Sequence, residues 1–373
     1  MKFTIAVIPG DGIGPEVITQ AKKALNAVAE AYDHIFLYKE AQLGSCAIDA
    51  TGGPLPKKTI EICKKADAIL FGAVGDPKYD NDPSAKVRPE QGLLQLRKEL
   101  DLFCGVRPLK AYNNLIANSP LKREIIKNTD FIIFRELTGG IYFGKKELSE
   151  DMQTASDLST YTVDEISRVA HLAFQAAQKR KKKVTLVDKA NVLETSRLWR
   201  KTVTEIAKEY SDVSLEYLFV DNAAMKMILN PKHFDVILTE NLFGDMISDV
   251  ASALCGSIGL MASSSIGNEN ALFEPIHGSY NQAKGKDIAN PLASILSAGM
   301  LLKYLGLHEE ADAIERAVDK SLALGITTED IKRKIQSSTS TSKVGDFIAD
   351  YITNQDDSNM NFKNIHMGQS TII

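Results

Sequence analysis

Short runs of consecutive apolar residues alternate along this chain with longer stretches where apolar residues recur every three or four positions. The first pattern predicts buried strands and the second predicts helices with one apolar face, so their alternation predicts an α/β fold. Residues 3–8 read as a strand, followed by a glycine-rich turn and a helix over about 15–31. Residues 66–71 read as a second strand. Segments 131–136 and 141–145 read as two more, joined around Gly139-Gly140 as a hairpin. Val163, Ile166, Val169, Ala170, Ala173, Phe174 and Ala177 recur at helical spacing and predict an amphipathic helix. Segments 184–187 and 215–220 predict strands ending at charged residues, Asp188-Lys189 and Asp221, where α/β proteins place their chemistry. Helices are predicted over 291–305, 309–324 and 344–352, and the polar stretch beyond reads as a tail over 354–373.

At 373 residues the chain is long enough for two domains. A net charge of −4 gives no general attraction to nucleic acid or anionic membrane, so any anion must be held by local Arg and Lys clusters. The run Lys179-Arg180-Lys181-Lys182-Lys183 follows the amphipathic helix directly and lacks interleaved aromatics; it suits the negative end of the helix dipole. Cys46, Cys63, Cys104 and Cys255 are scattered with no C-x-x-C spacing, which argues against a disulfide framework or a zinc knuckle. The chain enters its first strand without a charged leader or a long apolar stretch, so a cytoplasmic enzyme is expected.

Two motifs carry candidate chemistry. Gly10-Asp11-Gly12-Ile13-Gly14-Pro15-Glu16 invites a dinucleotide-binding reading, but Pro15 stands where the third glycine is required. Its glycines suit a tight turn and its proline the first position of a helix. In Asn241-Leu242-Phe243-Gly244-Asp245-Met246-Ile247-Ser248-Asp249, two carboxylates four residues apart share one face of a predicted helix. Like charges there repel, whereas a hard divalent cation such as Mg²⁺ or Mn²⁺ reverses the sign of the interaction. The plain alternative is a solvated acidic face, although the apolar neighbours Leu242, Phe243, Met246, Ile247 and Val250 do not suggest a surface.

These two motifs occur in order with Arg135-Glu136-Leu137-Thr138-Gly139-Gly140-Ile141-Tyr142-Phe143-Gly144 and Val187-Asp188-Lys189-Ala190-Asn191-Val192-Leu193. Taken together, the four segments resemble the β-hydroxyacid oxidative decarboxylases, the isocitrate and isopropylmalate dehydrogenase family, over about residues 3–353. The resemblance implies a two-domain α/β fold with a discontinuous first domain, 1–102 with 256–353, around an inserted second domain, 103–255. It implies NAD-dependent oxidation of a 2-hydroxy acid followed by loss of its C3 carboxylate, with one Mg²⁺ or Mn²⁺ per site. Asp221, Asp245 and Asp249 match the metal carboxylates, and Asp221 also faces the substrate. Arg97, Arg107 and Arg135 match the substrate-binding arginines, whose guanidinium forks fit carboxylates as lysine cannot. Lys189 matches the base and Tyr142 the proton donor. A homodimer is implied, in which Lys189 and Asp221 complete the site of the other subunit.

Arg88-Pro89-Glu90-Gln91-Gly92-Leu93-Leu94 resembles the pattern for 3-isopropylmalate, with Leu93 and Leu94 against the isopropyl group. Isocitrate, homoisocitrate and tartrate are the alternatives; an apolar pocket would leave the extra carboxylate of isocitrate unpaired. The cofactor is expected between the 76–90 loop, including Asp76 and Glu90, and the run Gly278-Ser279-Tyr280-Asn281-Gln282-Ala283-Lys284-Gly285-Lys286-Asp287-Ile288-Ala289-Asn290. NAD-preferring relatives often carry Asp where Gln282 stands, and Lys284 nearby would attract a 2′-phosphate. The Lys-Tyr pair of NADP-using relatives is absent, so NAD is expected. A non-catalytic binding protein would have no need of Tyr142, Lys189, three Asp and three Arg together.

Overall fold

In the computed structural model the described residues are 1–81, 85–254, 256–332 and 338–354; the tail expected over 354–373 lies, but for residue 354, outside them. Twelve strands occur among these residues: β1 (Lys2–Gly10), β2 (Ile35–Glu40), β3 (Ala68–Ala73), β4 (Cys104–Lys110), β5 (Asp130–Glu136), β6 (Lys146–Leu148), β7 (Ala155–Asp157), β8 (Lys183–Asp188), β9 (Ser214–Phe219), β10 (Val236–Thr239), β11 (Ala262–Ile266) and β12 (Ala271–Pro275). Ten of them form one sheet in the order β2-β1-β3-β12-β11-β4-β5-β10-β8-β9. Strands at both ends pair in parallel, while β12, β11, β4 and β5 pair antiparallel in the middle. The sequence order is therefore broken: β11 and β12, from late in the chain, sit beside β3 in the first half of the sheet.

Burial explains the apolar runs. Every residue of β3 is buried, as expected of a parallel strand with helices on both faces. On one face of the first half, helices Gly14–Ala31, Leu292–Tyr304, His308–Leu324 and Thr341–Thr353 enclose a core with Ile5, Val7, Leu70 and Phe273. On the other face, Ile8, Ile69 and Phe71 pack with Leu96 and Leu102. The second half has its own two cores: Phe174, Leu186 and Trp199 lie on one face, Phe131, Phe234 and Ile237 on the other. The predicted amphipathic helix is Val163–Gln178, opened by Thr162 and Glu165, whose side chains each accept from the other residue's backbone N–H.

One predicted element fails. Residues 141–145 are not a strand, and no hairpin forms around Gly139-Gly140. The Glu136 carboxylate accepts hydrogen bonds from the N–H groups of Thr138 and Gly139, at 2.8 and 2.7 Å, and turns the chain out of the sheet directly after β5. Gly140 then takes a φ of +74°, and Gly140–Tyr142 is a single 3₁₀ turn. The hairpin lies further on, as β6 paired with β7, and all six of its residues are exposed. No helix among the described residues is long and apolar enough to cross a membrane.

Candidate active site

Between the two halves lies a cleft of about 390 Å³, floored by the ends of β3 and β12 and walled by the helix Pro89–Glu99, β4, β5 and the helix Asn241–Leu254. Glu90, Leu93, Leu94, Arg97, Arg107, Arg135, Tyr142 and Asp245 all line it. Eight residues expected to bind substrate, metal or protons, drawn from five separate segments, thus meet at one place.

Each arginine is held by a named partner. Arg135 leaves β5 buried, and its Nε and Nη2 donate to Asn241 Oδ1 at 3.0 and 2.8 Å. Its Nη1 donates to Asp245 Oδ1. Gly244 makes this crossing available, because a Cβ there would lie 2.6 Å from Arg135 Cγ. Arg107 Nη1 donates to Ser248 Oγ and sits 3.5 Å from Asp245 Oδ1. Arg97 Nη2 pairs with Glu274 Oε1 at 3.0 Å, and its buried Nε has no partner among the described residues. Burial lowers the pKa of both Arg107 and Arg135, with Asp245 pulling the other way. A site that strains buried cations in this manner favours an incoming anion.

Asp245 and Asp249 both lie on the helix Asn241–Leu254, as their spacing predicts. Burial alone would raise Asp245, but Arg135, Arg107 and the Tyr142 hydroxyl, which donates to its Oδ2 at 2.9 Å, hold it below the usual carboxylate range. Asp249 is displaced upward, first by burial and then by the charge of Asp245. No hydrogen bond or ion pair to the Asp249 carboxylate occurs among the described residues. A carboxylate pair of this kind fits a hard divalent cation. Two ligands are too few, however, and among the described residues no group of three His, Cys, Asp or Glu comes close enough to hold one.

The third expected carboxylate is elsewhere. Asp221 lies in the first turn of the helix Val220–Leu229, after β9, and pairs with Lys189 Nζ at 2.5 Å. That bond keeps Asp221 below the ordinary range. Neither residue lines the cleft. Lys189 is held from below: its N–H donates to Ser196 Oγ, while the preceding Asp188 is gripped by Arg200 through two bonds of 2.8 and 2.7 Å.

The expected cofactor run divides. His277, Gly278, Tyr280, Ile288, Ala289 and Asn290 line a second pocket of about 480 Å³ with Ile13, and His277 and Gly278 also line the cleft. Burial lowers the His277 pKa, and its Nε2 is buried without a partner, an orphan that a bound group would satisfy. Ser279 and Asn281 turn toward Gly75 and accept or donate within that loop. Gln282, Ala283, Lys284, Gly285, Lys286 and Asp287 do not line the pocket, and Asp287 instead accepts from Ser342 N and Oγ. Asp76 caps a short turn, accepting from Lys78 N at 3.1 Å. Sequence reasoning missed Glu274, Ser248 and the role of Asn241. Glu274 ends β12, and a charged residue at a strand end is the same signal that singled out Lys189.

A profile described as isocitrate/isopropylmalate dehydrogenase matches residues 4–348. The chain belongs to that family, as its motifs had suggested, and is an enzyme acting on a small-molecule substrate. It is 51% identical to a 3-isopropylmalate dehydrogenase of Bacteroides fragilis, covering 94% of this chain and 99% of that one. It is 53% identical to a 3-isopropylmalate dehydrogenase of Clostridium pasteurianum, covering 93% and 98%. Among solved structures, an isocitrate dehydrogenase of Methylococcus capsulatus superposes with a TM-score of 0.85 at 32% identity, over 94% of this chain and 99% of that one.

Proposed function

We propose that this enzyme catalyses the NAD-dependent oxidative decarboxylation of (2R,3S)-3-isopropylmalate to 4-methyl-2-oxopentanoate and CO₂, a step of leucine biosynthesis. The observation that carries the reading is the meeting of Arg97, Arg107 and Arg135 with Leu93 and Leu94 around one cleft. The substrate has two carboxylates and one branched apolar group, and the cleft offers cations and an apolar wall in the same space. Relatives named 3-isopropylmalate dehydrogenase support the choice among family substrates.

The three guanidinium groups face Asp245, Glu274 and Glu90, so the cleft is close to neutral. A doubly charged substrate therefore enters without net charge when a divalent cation accompanies it. Asp245 and Asp249, with Asp221 of a second copy, would hold that cation, which would supply acidity to the C2 hydroxyl and stabilise negative charge on its oxygen. Arg97, Arg107 and Arg135 fix the carboxylates, and Leu93 and Leu94 exclude water around the isopropyl group. Lys189 of the other subunit takes the hydroxyl proton; NAD⁺, when bound, would accept the hydride from C2, and the bond from C3 to its carboxylate then breaks, releasing CO₂. Tyr142 then delivers a proton to C3. The 480 Å³ pocket and the orphaned His277 Nε2 fit the adenosine end of NAD.

The same reading makes the active form a homodimer, with 1–102 plus 256–353 and 103–255 as two domains closing on the cleft. Lys189 and Asp221 lie outside the cleft of their own chain, and Val192 beside Lys189 and Met225, Ile228 and Leu229 on the helix of Asp221 are exposed apolar residues. The exposed two-stranded β6–β7 hairpin has too little packing to be stable alone and calls for a partner surface. Cys46, Cys63 and Cys104 are free thiols, which suits the cytoplasm. The test is NADH formation from NAD⁺, Mg²⁺ and 3-isopropylmalate, with isocitrate and malate alongside. Turnover of isopropylmalate alone, abolished by chelator, is expected; turnover of isocitrate in preference would overturn the assignment of Leu93 and Leu94.

A further inference from the structure

The turn over residues 10–16, which fails as a dinucleotide-binding motif, has no role in the chemistry so far, yet the two segments expected to bind the cofactor are both hydrogen-bonded to it. Asp11 is 4% exposed, and its carboxylate accepts four hydrogen bonds. Oδ2 accepts from Ser45 N at 2.8 Å and Gly75 N at 3.0 Å; Oδ1 accepts from Cys46 N at 3.0 Å and Ser45 Oγ at 2.9 Å. Ser45 Oγ is also 3.3 Å from Asp76 Oδ2. One buried carboxylate thus ties the first turn to the loop that begins at Gly75. On the other side, Ile13 N donates to Ser279 O at 2.8 Å, and Glu16 accepts from Gly285 N. The glycines serve this stitching. Gly12 has a φ of +57°, and a Cβ on it would lie 2.0 Å from Ser279 O.

We propose that Asp11 and Glu16 are positioning residues for the cofactor. Asp11 sets the Gly75–Asp76 backbone and Glu16 sets the loop that carries Ser279 to Gly285, so one rigid turn fixes the distance between the two walls that receive the dinucleotide. This rests on the reading of the protein as an NAD-dependent dehydrogenase. The competing account is a merely structural Asp11, whose loss would lower stability without favouring one ligand over another. Both oxygens of Asp11 accept at least one backbone N–H, so an asparagine in either orientation turns its own N–H₂ against a donor and loses a bond.

The experiment compares Asp11→Asn and Glu16→Gln with the unaltered enzyme, measuring KM for NAD⁺, KM for isopropylmalate, kcat and Tm, together with amide exchange of the ligand-free protein. Misplacing a cofactor wall by a fraction of an ångström is expected to raise KM for NAD⁺ by about tenfold or more, with the isopropylmalate KM within about twofold. Exchange is expected to quicken in residues 74–79 for Asp11→Asn and in residues 279–286 for Glu16→Gln. A fall in Tm with both KM values unmoved, or both KM values rising together, would overturn the proposal. Should Asp11→Asn yield no folded protein, Ser45→Ala carries the test, because it removes only the hydroxyl bridge between Asp11 and Asp76. An NAD⁺ KM unchanged in that variant overturns the Asp11 claim. If the unaltered enzyme does not use NAD⁺ at all, the functional reading fails, and the exchange pattern alone then decides whether the turn holds the two loops.

Discussion

The arginine cluster of the cleft and the Lys189–Asp221 pair are both charged constellations, but they are built in opposite ways. Arg107 and Arg135 are buried, each held by a side chain of the helix Asn241–Leu254, and line the cleft. Lys189 and Asp221 reach outward and pair with each other, with Lys189 Nζ also 5.7 Å from the centre of the Phe219 ring; Asp221 keeps 60% of its side-chain area exposed and lies near exposed apolar residues. The first lies wholly on one chain and lines that chain's own cleft. The second points away from its own cleft, which is the geometry that the proposed sharing of Lys189 and Asp221 with another chain's site requires.

The sharpest way to break that contrast is complementation. Lys189→Ala and Asp245→Asn are each expected to lower kcat by about 10²–10⁴-fold, the range for loss of a proton-transfer group or a charge-stabilising ligand. If each site takes Asp245 from one copy and Lys189 from the other, co-expressing the two inactive variants restores about a quarter of the activity, because half the dimers hold one intact site of two. Mixtures that remain inactive would place both residues in one chain's site. Arg135→Lys is expected to cost about 10²-fold in kcat/KM, since an ammonium cannot hold Asn241 and Asp245 while presenting a planar fork to a carboxylate. Equal losses for Arg135→Lys and Lys189→Arg would erase the distinction between a cleft's own residues and lent ones.

Much of this was legible from the residues. The Asp245–Asp249 spacing gave a shared helix face because helical periodicity is local, and the apolar runs gave most strands for the same reason. The position of β11 and β12 beside β3 was not readable from periodicity, because nothing local in 262–275 states which strand it will pair with; only the family resemblance implied a first domain broken in two. The expected strand at 141–145 failed because Glu136 caps a turn through its carboxylate, a tertiary use of a side chain that no hydrophobic pattern records. The β6–β7 hairpin was missed for the converse reason: all six of its residues are exposed, so selection for burial leaves no alternation in them.

A smaller effect separates specificity from catalysis within the cleft. Replacing Leu93 and Leu94 together by serine is expected to lower kcat/KM for isopropylmalate by about 10–100-fold, the range for lost apolar complementarity, while leaving malate turnover nearly unchanged. Parallel loss on both acids would make these leucines helix core rather than the wall that meets the isopropyl group.

The smallest effect follows from what the cleft costs its neighbours. Beside the cleft, Glu136 and Glu240 are both raised by burial, and the Glu136 charge helps push Glu240 up to about 7, whereas Asp221 in the outward pair is lowered by Lys189. Native Glu240 thus keeps a proton between about pH 4.5 and 7 that the unfolded chain has already released, so its contribution to stability is present below pH 4.5 and is lost as the pH rises through 7. Glu240→Gln removes that dependence and still accepts the Phe243 N–H. The variant is expected to match the wild type near pH 4.5 and to exceed it by up to about 3 kcal/mol at pH 8, read from urea unfolding at fixed protein concentration. The control on the other side of the contrast is Asp221→Asn, whose sign is reversed: a lowered acid stabilises above its unfolded pKa, so its loss costs stability at pH 8 and less as the pH falls through the folded pKa. A Glu240→Gln difference that does not grow with pH would mean that the buried wall of the cleft carries no ionised strain.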